Sequence, residues 1–153
     1  MAIVYEGFGN VLTHKAQSLV CPVNVVGVMG AGLARAFRNR IPGLNGAYKH
    51  MCEEGILTLG KVTTYHIEGT HQQVLLFPTK GHWKDDSEVS YIEEGLQYLV
   101  KHYKELGITE IAMPPIGCGL GKLDYMEDVR PLIEQYLGPL EDLSVYLLRR
   151  PAT

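Results

Sequence analysis

The stretch "VNVVGVMGAGLARAF", residues 23–37, joins an apolar run to an alanine-rich helical pattern through Gly27, Gly30 and Gly32. The run it grows from, "SLVCPVN" (18–24), is almost continuously apolar, as a central strand buried on both faces of a sheet requires. Buried strand, glycine turn and helix in succession form the opening unit of a layered α/β domain. Glycine lets the backbone approach a ligand closely, and a helix start offers unsatisfied N–H groups and partial positive charge. "AMPPIGCGLGKL" (112–123) sets a second glycine turn after another apolar run. Ligands of open α/β sheets bind in the crevice beyond the strand ends. Two such turns at one sheet edge would hold a diphosphate from both sides, with Gly27, Gly30 and Gly32 on one wall and Gly117, Gly119 and Gly121 on the other. The competing reading is that these glycines only make tight turns and close helix–sheet contacts. The pattern is not the dinucleotide fingerprint, because "GVMGAG" has its wide gap first. Nor is it a P-loop, because Gly121-Lys122 is followed by Leu123.

Working outward, strand and helix patterns alternate without an internal repeat. "AIVYEG" (2–7) reads as a strand, 30–41 as a helix, and a second short helix near 43–54 closes at Gly55. "KVTTYHIE" (61–68) and "HQQVLLFP" (71–78) read as two strands joined by a tight turn at Gly69. Val89, Ile92, Leu96, Leu99, Tyr103 and Leu106 recur at helical spacing, which predicts the longest helix at 87–106 with Gly107 just past its end. "ITEIAMP" (108–114) is another buried strand, 129–137 a helix with Pro131 in its first turn, and "LSVYLL" (143–148) the last strand. Mixed β and α in this order predicts helices on both faces of one sheet.

At 153 residues, with 46% hydrophobic and 20% charged, the chain holds one core, so residues 1–153 are expected to form a single domain. No apolar run approaches the roughly 20 residues that cross a bilayer. "MAIVYEGFGN" has neither the positive start nor the long apolar core of a signal peptide. Cys21, Cys52 and Cys118 are odd in number, and no two are close enough in sequence to suggest a zinc or redox pair, so a reducing interior, the cytoplasm, fits best. A net charge of −3 with a pI near 6.0 excludes a strongly basic nucleic-acid binder, while leaving contact with one or two nucleotides. The six histidines show no metal-ligand spacing, so no metal is expected.

Taken with "LLFPTKGHW" (75–83) and "MPPIGCGLGKLD" (113–124), the first glycine segment resembles the macrodomain family. Within it, the match is to the branch holding the DarG-type DNA ADP-ribosyl glycohydrolase antitoxin macrodomains and the human terminal ADP-ribose protein glycohydrolase, and it is stronger to the DarG type. The segments come in the right order with similar spacing and cover nearly the whole chain. The resemblance implies a three-layer α/β/α macrodomain with a central mixed β-sheet. It also implies that ADP-ribose is the ligand or product, with no other cofactor, and that the activity is hydrolysis of a glycosidic bond of ADP-ribose.

The resemblance further assigns residues. Gly9, Asn10 and Val11 fall at the adenine end, where Asn10 replaces the family's usual Asp, and Tyr146 matches an aromatic that packs on adenine. Val28, Met29, Gly30, Ala31, Gly32 and Leu33 would line the first loop, with Thr79 at the strand end. Pro115, Ile116, Gly117, Cys118, Gly119, Leu120 and Gly121 would line the second. Other hydrolytic macrodomains carry an Asn-rich strand end and an Asp, whereas here "PVNVVGVMGAG" has only Asn24. This branch relies on a lysine, matched by Lys80. The human enzyme's second residue, an Asp in the last glycine loop, is replaced by Gly121, as in DarG-type chains. Lys80 and Asn24 are therefore the candidate catalytic residues, and ADP-ribosylated DNA, through thymidine, is the implied substrate. A DarT-type ADP-ribosyltransferase is the implied functional partner.

Each assignment has a plainer competitor. Lys80 reads equally as a solvated loop lysine, or as a group that attacks the anomeric carbon, moves a proton or stabilises the departing base. Asn24 would cap a turn or meet a ribose hydroxyl. Trp83, with His82 beside it, would either anchor packing or stack on a nucleobase next to the scissile bond. Tyr146 reads as a core tyrosine as readily as an adenine platform. Cys118 lacks a neighbouring His pattern and reads as a small packing residue rather than a nucleophile. The function itself stays open between an enzyme acting on DNA, a non-catalytic ADP-ribose reader, and a hydrolase of ADP-ribosylated protein carboxylates or of ADP-ribose phosphate.

Overall fold

The computed structural model describes residues 1–149, so the last four residues of the expected 1–153 domain lie outside the described residues. Six strands form one sheet: β1 (Ile3–Phe8), β2 (Ser18–Asn24), β3 (Thr63–His66), β4 (Gln73–Lys80), β5 (Glu110–Met113) and β6 (Ser144–Arg149). Their order is β1-β6-β5-β2-β4-β3, and every neighbouring pair is parallel except β3–β4. Four helices accompany them: α1 (Gly32–Arg40), α2 (Leu44–Glu53), α3 (Val89–His102) and α4 (Arg130–Tyr136). The sheet is mixed and β2 is central, as its unbroken apolar run predicts.

Strand alternation sorts the core into two layers. Leu19, Cys21, Val23, Val74 and Leu76 face Phe37 of α1 and Leu44 and Tyr48 of α2. Val20, Leu75, Phe77, Ile111, Met113, Val145 and Leu147 face Ile92, Leu96 and Leu99 of α3 and Ile133 of α4. Each fully buried side chain of this size contributes roughly 1.5–3 kcal/mol. Gly95 lies inside α3, where glycine costs roughly 1 kcal/mol against alanine. Its reason is packing: a Cβ there would overlap the ring of Phe77 on β4.

The element bounds shift where tertiary contacts decide them. The hairpin turn falls at Gly69, whose φ of +78° suits glycine, and β3 is shorter than 61–68. The long helix stops at His102 instead of 106, and the chain then turns through Gly107 at φ +68°. The first helix begins at Gly32, leaving Gly30 outside it and Ala31 extended. The strand read as ending at Pro78 continues to Lys80, because β2 keeps pairing beside it.

One departure from regularity makes the functional crevice. β2 and β5 pair only through Ser18–Ile111 and Leu19–Ala112. Beyond those pairs the two central strands part, and the glycine loop after each one fills the opening. Pro22, which lacks an N–H, falls in the part of β2 that β5 no longer flanks.

Candidate active site

The opening is a cleft of about 1020 Å³ at the C-terminal ends of the strands. That is the upper end of the roughly 300–1,000 Å³ usual for small-molecule sites. Its first wall is the loop from Val25 to Ala31, whose shape is set by Asn24. The Asn24 side chain is 7% exposed. Its Nδ2 donates to Val28 O at 2.8 Å, and its Oδ1 accepts from the N–H groups of Val26 (3.1 Å) and Val28 (3.3 Å). Tyr48, fully buried on α2, donates its hydroxyl to Asn24 Oδ1 at 2.6 Å and contacts Asn24 O at 2.7 Å. Burial raises the phenol's pKa, so Tyr48 stays a neutral donor. Asn24 lines the cleft, and its amide locks the loop that follows.

The loop delivers the N-terminus of α1 to the cleft. Ala31 precedes the helix and offers no side-chain acceptor, so the first-turn N–H groups are left for solvent or a ligand. Gly32, at φ +57°, takes a backbone conformation that other residues adopt at a cost. No acidic residue lies in that first turn to compete with an anion.

The second wall, residues 114–122, is fastened from behind and in front. Leu123 N–H donates to Gly117 O at 2.9 Å and Ser87 N–H to Gly121 O at 3.0 Å. A Cβ on Gly121 would overlap Ser87 Oγ and come within 2.5 Å of Gly117 O. The loop therefore has no room for an Asp at this position, whatever the chemistry around it. From the front, Lys80 Nζ donates to Leu120 O at 3.0 Å and to Trp83 O at 3.4 Å. Leu120, 64% exposed, reaches back across the cleft, with Cδ1 3.5 Å from where a Cβ on Gly32 would stand. The two glycine loops therefore meet over the cleft.

Lys80 reaches this place through a bulge. Val23 pairs with Pro78, but Asn24 pairs with Lys80, so β4 carries one extra residue, Thr79, at that point. Lys80 is half-buried and lines the cleft, and is part of the strand rather than the loop beyond it. Trp83 is 49% exposed at the rim, settling its place as a cleft residue rather than a packing anchor. Lys84 Nζ lies 5.1 Å from the centroid of its ring, at cation–π range. His82 stacks on Trp83 at 5.1 Å but does not line the cleft. Its Nδ1 accepts from Lys84 N–H, and its own N–H is held by Asp85.

The remaining expected positions divide. Gly9, Val11, Val28, Gly30, Ala31, Gly32, Leu33, Thr79, Pro115, Gly117, Cys118, Gly119, Leu120 and Gly121 all line the cleft. Met29 and Ile116 do not, being buried beneath their loops as core residues. Asn10 lies outside too: its Oδ1 accepts from Leu12 N–H at 3.0 Å and caps the 3-10 turn Val11–Thr13. Tyr146 packs in the α1–α2 layer, tilted against His14 at 4.8 Å, because strand alternation turns its neighbours to the other face. Leu148 and Arg149, at the end of β6, line the cleft instead, as do Pro22, Val23, Ala34 and Lys122. The usable signal for the β6 pair was that a parallel strand beside β5 must end at the same sheet edge.

Chemically the cleft is short of acids. Among the described residues its one lining carboxylate is Asp86, which pairs with Lys122 at 3.5 Å. The Cys118 thiol is pushed up to about 11, first by burial and then by Asp124 and Asp128, which leaves it protonated at neutral pH. Among the described residues no group of three or more His, Cys, Asp or Glu is placed to hold a metal ion. Lys80 is therefore the group best placed to act on a ligand held between the loops.

The sequence profile of the macro domain family matches residues 20–132. The chain belongs to that family. This macrodomain is 38% identical over 148 residues to the DNA ADP-ribosyl glycohydrolase of Mycobacterium tuberculosis, covering 95% of the chain and 42% of the relative. It is 39% identical over 141 residues to the Thermus aquaticus protein of the same name, covering 91% and 39%. A Thermosipho africanus transferase–glycohydrolase fusion protein is 38% identical over 91% of the chain and 40% of its own length. The chain thus spans about two fifths of the length of these three relatives. The human ADP-ribose glycohydrolase OARD1 is 26% identical over 88% of the chain. Among solved structures, the macrodomain of Mycobacterium tuberculosis DarG superposes with a TM-score of 0.90, 36% identical and covering 98% of both chains. Thermosipho africanus DarTG in complex with ADP-ribose gives 0.86, at 37% identity, over 92% of this chain and 40% of that one.

Proposed function

We propose that this macrodomain is a glycohydrolase that removes ADP-ribose from modified DNA bases, thymidine first among them. The observation that carries the reading is Lys80, whose ammonium bonds Leu120 O and Trp83 O where both loops converge, in a cleft whose one lining carboxylate among the described residues, Asp86, is paired with Lys122. The free N–H groups of α1 and the second loop hold the diphosphate and distal ribose, so positioning supplies much of the rate. The bond between the ribose anomeric carbon and the base breaks, its electron pair leaves with the base, and the base takes up a proton. Water finally supplies the oxygen on the anomeric carbon, giving free ADP-ribose. Lys80 acts at that carbon, either as the neutral amine, forming a transient bond to it that water then displaces, with the ammonium's proton passed to the departing base, or as the charge that receives the departing base.

Two further points support DNA over protein carboxylates. The relatives that match at 38–39% identity are named for DNA, and Gly121 has no space for the loop Asp that the resemblance gives the human enzyme beside its lysine. The fusion relative supports a DNA ADP-ribosyl transferase as the partner whose product this chain would clear, as an antitoxin in the cytoplasm. The test is direct. The protein is mixed with an oligonucleotide ADP-ribosylated on thymidine and with a glutamate-ADP-ribosylated protein, with Lys80→Ala alongside. Release from the oligonucleotide alone, lost in the variant, is expected. Binding of ADP-ribose without release from either substrate would make the chain a reader instead.

A further inference from the structure

The net charge of −3 hides a division along the chain. Residues 1–50 hold five Lys and Arg (Lys15, Arg35, Arg38, Arg40, Lys49) against one acid, Glu6, a balance of +4. The other nine Lys and Arg and sixteen Asp and Glu leave −7 for the rest. In the fold that one acid is taken: Glu6 pairs with Arg130 at 3.0 Å. Lys104, Lys122 and Arg130 of the acidic part each have a carboxylate within 4 Å. Among the described residues none of the five early cations does.

Three of these five lie on α1, and α1 connects two hollows. Its first residues, Gly32 to Ala34, line the cleft. Its last, Arg40, lines a smaller hollow of about 230 Å³ together with His14 and Lys15 from the β1–β2 crossover. Arg35, Arg40 and Lys15 are exposed and Arg38 is half-exposed. Along about 7.5 Å of helix axis, Arg35 and Arg38 stand within about 60° of each other, and Arg40 lies on the opposite flank from Arg38, beside Lys15 at the smaller hollow. Unneutralised arginines gathered on one helix of an otherwise acidic protein fit a polyanion, and a phosphate backbone is the polyanion attached to the substrate proposed above.

We infer that α1 carries the DNA strand: the strand crosses the exposed side of the helix, with phosphates met by Arg38 and Arg35 on one flank and by Arg40 and Lys15 on the other, while the ADP-ribose of the modified nucleotide occupies the cleft. This rests on the DNA-glycohydrolase reading, and only an unpaired base would reach so deep, so the strand is single. These cations supply affinity without reading sequence.

The experiment uses the triple variant Arg35→Gln, Arg38→Gln, Arg40→Gln and a control lacking three cations elsewhere, Lys61→Gln, Lys101→Gln, Lys104→Gln. An unmodified single-stranded 20-mer is titrated by fluorescence anisotropy across salt concentrations. Hydrolysis is measured on an ADP-ribosylated 20-mer and on the ADP-ribosylated mononucleotide. Single strands release counterions with a log–log slope of about −0.7 per phosphate contact, so the triple variant should lose about 2 from the slope. Its kcat/KM on the 20-mer should fall about tenfold at low salt, with the mononucleotide unaffected and the control near the parent on every readout. Unchanged salt dependence and unchanged 20-mer kinetics in the triple variant would overturn the inference while leaving the glycohydrolase reading intact. A parent protein that cleaves neither substrate would sink that reading, and the titration of the unmodified strand would still decide the role of α1.

Discussion

Asn24 and Lys80 stand opposite each other at the ends of β2 and β4, brought into register by one extra residue, Thr79. Asn24 holds the first glycine loop through Val26 and Val28, while Lys80 reaches the second through Leu120 O. One pair of strand ends thus governs both walls of the cleft. A residue added to or removed from β4 there would exchange the faces to which the neighbouring side chains point.

Replacing Lys80 by Ala should leave ADP-ribose binding within a few-fold of the parent, because the loops and the α1 N-terminus supply the anion contacts. Turnover on ADP-ribosylated DNA should fall at least about 100-fold, the usual scale for losing a group that stabilises a transition state. Calorimetry with ADP-ribose and single-turnover kinetics separate the two effects.

Tyr48→Phe removes the hydroxyl that braces Asn24 and changes little volume. The buried acceptors left behind should cost about 1–3 kcal/mol. Amide exchange at Val26 and Val28 should accelerate, since their acceptor Oδ1 loses its own anchor. Unchanged exchange would mean that α2 does not set the loop.

Gly121→Asp should not confer the carboxylate chemistry of the human relative. The side chain would meet Ser87 Oγ and Gly117 O, so the loop must move. We expect a loss of about 1–3 kcal/mol in stability and at least tenfold weaker ADP-ribose binding. Gly121→Ala should show most of the same loss, which isolates sterics from charge.

Cys118 should be inert near neutrality. With its thiol at about 11, thiolate is about one part in a thousand at pH 8, and alkylation should rise tenfold per pH unit up to about 11. The folded value is raised above the ordinary 9.0, so burial of the neutral thiol favours folding below pH 9 and that contribution fades between 9 and about 11. Cys118→Ser should keep turnover, and a large loss of kcat would restore the nucleophile.

Gly95→Ala tests packing away from the site. Helix propensity alone would favour it by roughly 1 kcal/mol. Overlap with Phe77 should reverse the sign and destabilise by about 1–3 kcal/mol, with ADP-ribose affinity unaltered.

Local pattern determined much of this protein. The nearly continuous apolar run 18–24 marked the central strand, the helical spacing from Ile92 to Leu99 marked the buried α3 face although Val89 before it is exposed, and glycines after two strand ends marked both walls of the cleft. These are statements about period and backbone freedom, which a linear sequence carries. The tertiary structure decided what depends on partners. Asn10 and Asn24 are similar residues at loop starts, yet one caps a turn outside the cleft and the other, clasped by Tyr48 from 24 residues away, shapes the cleft wall. Met29 and Tyr146 read as ligand contacts and are packing residues, because the face a side chain takes is set by register. The bulge that aligns Lys80 with Asn24 exists only between two strands. Periodicity and the uneven spread of charge along the chain are local; register and opposition arise only when distant segments meet.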